Sequence, residues 1–302
     1  MKIPVIFGPT ASGKTRLARA LLEEVPDIQF IVADSRKIYR YMDIGTNKPP
    51  AEIRDKFSLV DIRNPDEYFS AADFAKEAEA EIKRILNAGG KPVIIGGTVL
   101  YLKALFEGLF EAPPISQEIR RQLRERLRNE GIKNLYEELR RIDPESAERI
   151  HPNDWFRILR ALEVYYETGQ TMSSMQKRTE PPAHEFEPVY FGLYRSRENL
   201  YRRINERFER MMEAGFLDEV KRLLAMGYSP DLPALNTIGY KELIQYLLGE
   251  ISFERAILVA KRRTRILARR QIYFSRSLKV PVKWVPVEEG YEKIKNLVLS
   301  QI

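Results

Sequence analysis

Short apolar runs alternate with longer stretches of helical spacing over the first third of the chain. Residues 3–7, 29–33 and 91–95 read as buried strands, and 59–65 as a strand and turn. Between them, 15–22 has helical spacing, and 70–87 reads as a helix with Ser70 as N-cap and Asp73 at its third position. This alternation predicts an α/β fold, a parallel sheet flanked by helices. It stops at Ala112-Pro113-Pro114. Residues 116–169 read as charged, arginine-rich helices only. Residues 171–188 are polar and proline-containing, which predicts an exposed loop, and 189–193 resume a strand. The expected organisation is an α/β core over 1–115, a helical insertion over 116–188 and a second part of the core over 189–302. In that second part, 196–226 reads as helical with a break near Gly215, 253–277 as a long helix, 282–285 as a last strand and 292–300 as a closing helix.

The first strand runs into Gly8-Pro9-Thr10-Ala11-Ser12-Gly13-Lys14-Thr15, the pattern G-x-x-x-x-G-K-T. Strand, glycine-rich loop and helix aim successive backbone N–H groups and a helix N-terminus at one anion. Lys14 adds a positive charge for a phosphate, and the Thr15 hydroxyl suits Mg²⁺. The loop therefore predicts a phosphate or diphosphate ligand within a P-loop NTPase-like core, without specifying ATP. In open parallel sheets ligands lie at the carboxyl ends of strands. Asp34, after the second strand, belongs beside the loop, either as a working carboxylate or as a metal-organising one. Gly96-Gly97-Thr98 follows a further strand and puts Thr98 on the same crevice. Residues 36–49 mix basic and aromatic side chains with turn formers, as a nucleotide-contacting segment or a solvated loop would.

Charge narrows the partner. The formal net charge is +7, and 32 of the 50 basic residues are arginine, the side chain suited to bidentate phosphate contacts. Residues 255–279 hold nine Lys or Arg and no acid. At about 100° per residue, Arg262, Arg265, Arg269 and Arg276 fall in one stripe, with Ile257, Ala260, Thr264, Leu267, Gln271 and Phe274 opposite. The expectation is one packed face and one row of guanidinium groups against a nucleic-acid backbone. A merely solvated helix would interleave glutamates. The chain has no cysteine, which excludes disulfides, cysteine zinc sites and thiol nucleophiles and fits a reducing cytoplasm. His151 and His184 are the only imidazoles. No apolar run approaches the roughly 20 residues of a membrane span. No secretory leader is expected, because the opening residues already read as a strand.

The phosphate loop followed by D-S-R-x-I-Y-R-x-M-D-I-G-T-x-K-P over 34–49 resembles the bacterial tRNA dimethylallyltransferases, also called tRNA isopentenyltransferases. The resemblance extends through Asp61-Ile62-Arg63, Ser70-Ala71-Ala72-Asp73-Phe74 and Gly96-Gly97-Thr98 with Leu100-Tyr101. It continues through Arg203-Ile204-Asn205-Glu206-Arg207-Phe208, Ile238-Gly239-Tyr240-Lys241-Glu242 and residues 264–276. In that last stretch Arg269 and Tyr273-Phe274 stand where the family usually has Lys and Thr-Trp. The resemblance implies transfer of a dimethylallyl group from dimethylallyl diphosphate to N6 of the adenosine 3′-adjacent to the tRNA anticodon, releasing diphosphate. It implies that the insertion closes over tRNA, with contacts from Phe156, Arg157 and Arg160, and it assigns Arg207, which the sequence alone would leave on the surface, to the diphosphate and catalysis.

Against that chemistry, Gly8 to Thr15 are expected to bind diphosphate, with Mg²⁺ at Thr15. Asp34 is expected to act as base, with Thr98 and Arg207 beside it. Asp34, Ser35, Arg36, Lys37, Thr98, Gly239, Tyr240, Lys241, Arg269, Arg270, Gln271 and Arg276 are expected to meet tRNA. A cytoplasmic monomer without a membrane anchor is expected. Two rivals remain at this stage. A P-loop small-molecule kinase explains residues 1–35 equally well but not the acid-free helix. A non-catalytic RNA-binding P-loop module would suit the helix, but no N-K-x-D guanine-reading motif is present.

Overall fold

The computed structural model describes residues 1–108, 115–176 and 181–302. The chain divides into two compact units, residues 1–107 with 182–302, and residues 108–181. The sequence-derived boundaries at 115/116 and 188/189 lie later in the chain. Residues 112–114, where the alternation was expected to stop, fall outside the described residues.

The first unit starts with β1 (Lys2–Phe7), α1 (Lys14–Glu24), β2 (Ile28–Ala33), β3 (Phe57–Ser58), α2 (Ala71–Asn87), β4 (Lys91–Gly96) and α3 (Val99–Glu107). The second unit holds α4 (Gln117–Ile142), α5 (Pro144–Arg149), α6 (Trp155–Thr168) and α7 (Met172–Gln176). The chain then returns to the first unit with β5 (Glu187–Tyr194), α8 (Arg197–Glu213), α9 (Phe216–Ala225), α10 (Tyr240–Leu247), α11 (Phe253–Ser275), β6 (Lys283–Pro286) and α12 (Tyr291–Leu299). The six strands form one parallel sheet in the order β3-β2-β4-β1-β5-β6, the expected α/β architecture. On one face, Leu17, Ala18 and Leu21 of α1 and Ile294 and Val298 of α12 bury against Ile6, Phe30, Val32 and Phe191. The helix α2 packs along β2 and β4. Its start is fixed by a capping box, in which the Ser70 hydroxyl accepts from Asp73 N and the Asp73 carboxylate accepts from Ser70 N. The excursion into the second unit leaves from and returns to neighbouring points, since Ala183 N donates to Leu105 O at 3.2 Å.

In the second unit, Leu123, Leu135 and Leu139 of α4 pack with Ile158, Leu159 and Leu162 of α6. Gly131, at φ 78°, breaks α4 into two segments. Asp154 caps α6, its carboxylate accepting from Arg157 N at 3.2 Å.

Two expected segments differ. Residues 59–62 are not a strand, because pairing ends after Ser58. Leu59 and Asp61 both take positive φ, near 59°, as the chain turns to wrap Lys48. That lysine is 6% exposed. Its ammonium donates to Tyr39 O at 2.7 Å and pairs with Asp61 and with Asp43. The stretch expected as a loop over 171–188 contains α7 and the start of β5, and residues 177–180 lie outside the described residues.

The same wrapped segment is pinned a second time. Glu219 of α9 is 2% exposed. Its carboxylate accepts from the backbone N–H groups of Asp43, Ile44 and Gly45 at 2.7–3.0 Å and from the Tyr240 hydroxyl at 2.6 Å. A side chain at residue 45 would enter the rings of Phe216 and Tyr240, so only glycine fits. Replacing Glu219 by Ala strands three backbone donors and the Tyr240 hydroxyl, and we expect a loss of about 3 kcal/mol or more in urea-denaturation stability. Tyr240→Phe, which removes one charge-assisted bond, is expected to lose about 2 kcal/mol in the same measurement.

Candidate active site

The phosphate loop joins β1 to α1. Its curl needs left-handed backbone at Ala11 (φ 63°) and Gly13 (φ 111°), and Gly13 N-caps α1. A Cβ at residue 8 would lie 2.6 Å from Ser12 Oγ, so the first glycine keeps the loop tight. Lys14 folds back over it, donating to Gly8 O at 2.7 Å and Pro9 O at 3.0 Å.

The loop is held from outside by arginines. Arg195, just past β5, donates to Ser12 O at 2.8 Å. From α8, Arg203 donates to Ala11 O at 3.1 Å and Arg207 to Thr10 Oγ1 at 2.6 Å. Holding these outward oxygens fixes the curl of the loop. On the other flank, Gln271 of α11 spans two strand ends, accepting from Thr10 N at 3.0 Å and donating to Gly97 O at 3.1 Å. Gly97 has to be glycine here, since a Cβ would sit 2.6 Å from Gln271 Nε2 and 2.8 Å from Gly8 O.

The ends of β2 and β4 close the arrangement. Gly97 N and Thr98 N both donate to Ala33 O, and Thr98 Oγ1 accepts from Ser35 N at 3.3 Å. Asp34 Oδ1 accepts from Arg36 N at 3.0 Å, which fixes the carboxylate. Asp34, Thr98 and Arg207 line one crevice of about 280 Å³, together with Thr10, Ser35 and Arg36. A second crevice of about 530 Å³ runs along the phosphate loop and takes in Lys14, Thr15, Lys37 and Arg203. Thr10, Asp34, Thr46, Arg207, Met211 and Gln271 line both.

This second crevice is strongly cationic. Burial, then the neighbouring Lys37, push the Lys14 ammonium down to about 7, against the opposing pull of Asp34. Burial pushes Lys37 down to about 8 and Arg207 down to about 10, with Asp34 again opposing. Basic groups crowded in this way favour an anionic ligand.

The expected tRNA contacts are distributed unevenly. Arg269 and Arg270 on α11 and Arg276 just past its end are exposed, and in the same unit Lys241 is exposed too. The helix packs through the small residues Ala256, Ala260, Ala268 and Ser275, which permits close approach. Leu267 and Phe274, expected on the packed face, are instead 39% and 41% exposed. Arg265 is partly engaged within the protein, with Asn205 and over the ring of Tyr201. Gly239 and Tyr240 are buried. Gly239 N donates to the buried Glu242, and Tyr240 serves Glu219, so both organise the scaffold. In the second unit, Phe156 is 65% exposed, while Arg157 pairs with Asp154 and Arg160 with Glu163. Nothing in the sequence singles out Arg195 or Glu219. One precedes a helix and the other lies within one, and only the tertiary fold brings them to the loops they hold.

A phosphate loop at the centre of a parallel sheet, with function gathered at the strand ends, defines a P-loop-type α/β protein. The profile of the IPP transferase family matches residues 37–278. The tRNA dimethylallyltransferase of Thermotoga neapolitana is 46% identical over 99% of both chains. That of Geobacter sulfurreducens is 42% identical over 99% of this chain and 96% of its own. Among solved structures, the tRNA isopentenylpyrophosphate transferase of Bacillus halodurans is 35% identical with a TM-score of 0.71, covering 99% of this chain and 96% of that one. A eukaryotic dimethylallyltransferase acting on tRNA is 27% identical with a TM-score of 0.80, covering 99% of this chain and 78% of that one. The chain belongs to the IPP transferase family.

The lysine environment has a measurable consequence. A diphosphate monoester has lost its last proton by pH 8, as a phosphate monoester does above about pH 6. In the free protein at pH 8, Lys14 is mostly neutral and Lys37 partly so. An anion restores their charged forms, so binding takes up roughly one proton, and affinity falls as pH rises from 7 to 9. Calorimetry at pH 8 in buffers of different ionisation enthalpy reads this uptake. Lys14→Arg, which stays charged, is expected to reduce it by about half or more.

Proposed function

We propose that the chain transfers a dimethylallyl group from dimethylallyl diphosphate to N6 of the adenosine 3′-adjacent to the anticodon of tRNA. The supporting observation is that the cationic phosphate crevice and the crevice of Asp34 and Thr98 share a wall, in the unit that also carries the exposed arginines of α11. Family membership supports the same reaction. A small-molecule kinase would leave the acid-free basic stretch 255–279 without a purpose, and the relatives' names do not favour it.

The diphosphate would lie in the loop of residues 8–15, on the amides of Ala11 and of Gly13 to Thr15, with Lys14 and Arg207 facing the leaving oxygens. The bond between the allylic carbon and the diphosphate oxygen breaks, and its electron pair leaves with the diphosphate. The N6 lone pair forms the new carbon–nitrogen bond. One proton leaves N6, and Asp34 is positioned to take it. Prepositioned donors stabilise the charge that builds on the leaving group. Thr98 would hold the base edge, and the adenosine must be splayed from its stack to enter.

The residues present fit Mg²⁺. Thr15, Asp34 and Asp43 line the phosphate crevice, and among the described residues no three acidic or imidazole groups converge. Such a donor set suits an ion held mainly by ligand phosphates and water. When bound, the ion would offset charge on the departing diphosphate. On this reading the protein works as a cytoplasmic monomer. Among the described residues no helix is long and apolar enough to cross a membrane.

Incubation with Mg²⁺, radiolabelled dimethylallyl diphosphate and bulk tRNA is expected to label the tRNA. Phosphate transfer from γ-labelled ATP to a small acceptor, with no label in tRNA, would overturn the reading. Asp34→Asn is expected to lower turnover by about 10²–10⁴-fold with little change in tRNA affinity, and unchanged turnover removes Asp34 as base. Replacing Arg269 and Arg270 by Gln is expected to weaken tRNA binding. The slope of log affinity against log salt should shrink by roughly one per lost phosphate contact, read by filter binding across a salt series.

A further inference from the structure

One helix presents both kinds of contact that an amphipathic diphosphate ester requires. On α8, Arg203 and Arg207 grip the phosphate loop. Ile204, Phe208 and Met211, spaced i, i+4 and i+7, line the adjoining crevice beside Asp34 and Thr98. A ligand whose head lies on the loop therefore directs its tail along this apolar strip.

The three apolar residues are not equivalent. Ile204 and Phe208 are 2% and 5% exposed, and Phe208 stands edge-on to Phe216 at 6.2 Å, so both are fixed parts of the core. Met211 is half-buried, and of the three it alone lines both crevices. Its unbranched thioether side chain can be enlarged or truncated without dismantling the packing behind it. The crevice has a volume of about 280 Å³. It must also admit the edge of the accepting base.

We propose that Met211 sets the length of the prenyl chain that the site accepts, admitting a five-carbon tail and turning away a ten-carbon one. This rests on the prenyl-transfer reading. The chemistry is the same for either donor. The bond from the allylic carbon to the diphosphate oxygen breaks, the bond to N6 forms, and diphosphate and one proton are released. Only the tail that must fit beyond the reacting carbon differs.

The test measures kcat/KM for tRNA labelling with dimethylallyl diphosphate and with geranyl diphosphate, for the full-length protein and two variants. Met211→Ala is expected to raise the geranyl-to-dimethylallyl ratio about tenfold or more, the discrimination a few methylenes carry in an apolar pocket. Met211→Trp is expected to lower kcat/KM for dimethylallyl diphosphate by a similar factor. In both variants the Kd values for inorganic diphosphate and for tRNA should stay at the wild-type level, which separates loss of tail space from damage to the phosphate loop or the fold. Wild-type transfer from dimethylallyl diphosphate anchors the comparison, and its absence would overturn the prenyl-transfer reading itself. Transfer by the wild type, with neither variant changing the chain-length ratio or the dimethylallyl kcat/KM, would overturn the role of Met211 alone.

Discussion

The site depends on the outward oxygens of the phosphate loop being held from behind. A loop that aims its amides at an anion must aim carbonyls elsewhere, and buried carbonyls need donors. Arg195, Arg203 and Arg207 meet Ser12 O, Ala11 O and Thr10 Oγ1, while Gln271 takes the Thr10 amide on the other flank. The loop, the β4 turn and helices α8 and α11 thus form one polar assembly around the strand ends. Arg207 has two parts in it. It completes the loop's hydrogen bonding, and it brings a cation to the wall that the two crevices share.

Much of this was legible in the sequence where chemistry is local. The P-loop spacing fixed the strand, the curl and the helix together, because each is required by the others. The capping pair Ser70 and Asp73 marked the start of α2 for the same reason. Legibility failed where a residue acts through tertiary contact. Residues 59–62 have strand-like composition, yet the chain bends there because the Lys48 ammonium draws Asp61 and Asp43 around itself. Tyr240 and Gly239 looked like a nucleic-acid contact because an aromatic, a glycine and a lysine stand together. The fold buries the first two and leaves only Lys241 exposed.

The basic helix shows a subtler limit. Helical periodicity correctly separated an arginine stripe from an opposite face. It could not say which opposite residues pack, because α11 uses alanines and a serine for contact and leaves Leu267 and Phe274 partly exposed. The outcome is a surface that mixes cations with apolar and aromatic groups. That composition suits a partner with both phosphates and stacked bases.

The hydrogen bond from Ala183 N to Leu105 O bears on how the helical unit can coexist with the sheet. Because its two ends are adjacent, the sheet sees the excursion as a short surface turn, whatever its length. Closing such a turn costs an entropy that grows only with the logarithm of the residues inside it. The register of β5 beside β1 is therefore insulated from insertions or exchanges in the 108–181 unit. Sheet and insertion are therefore free to change separately.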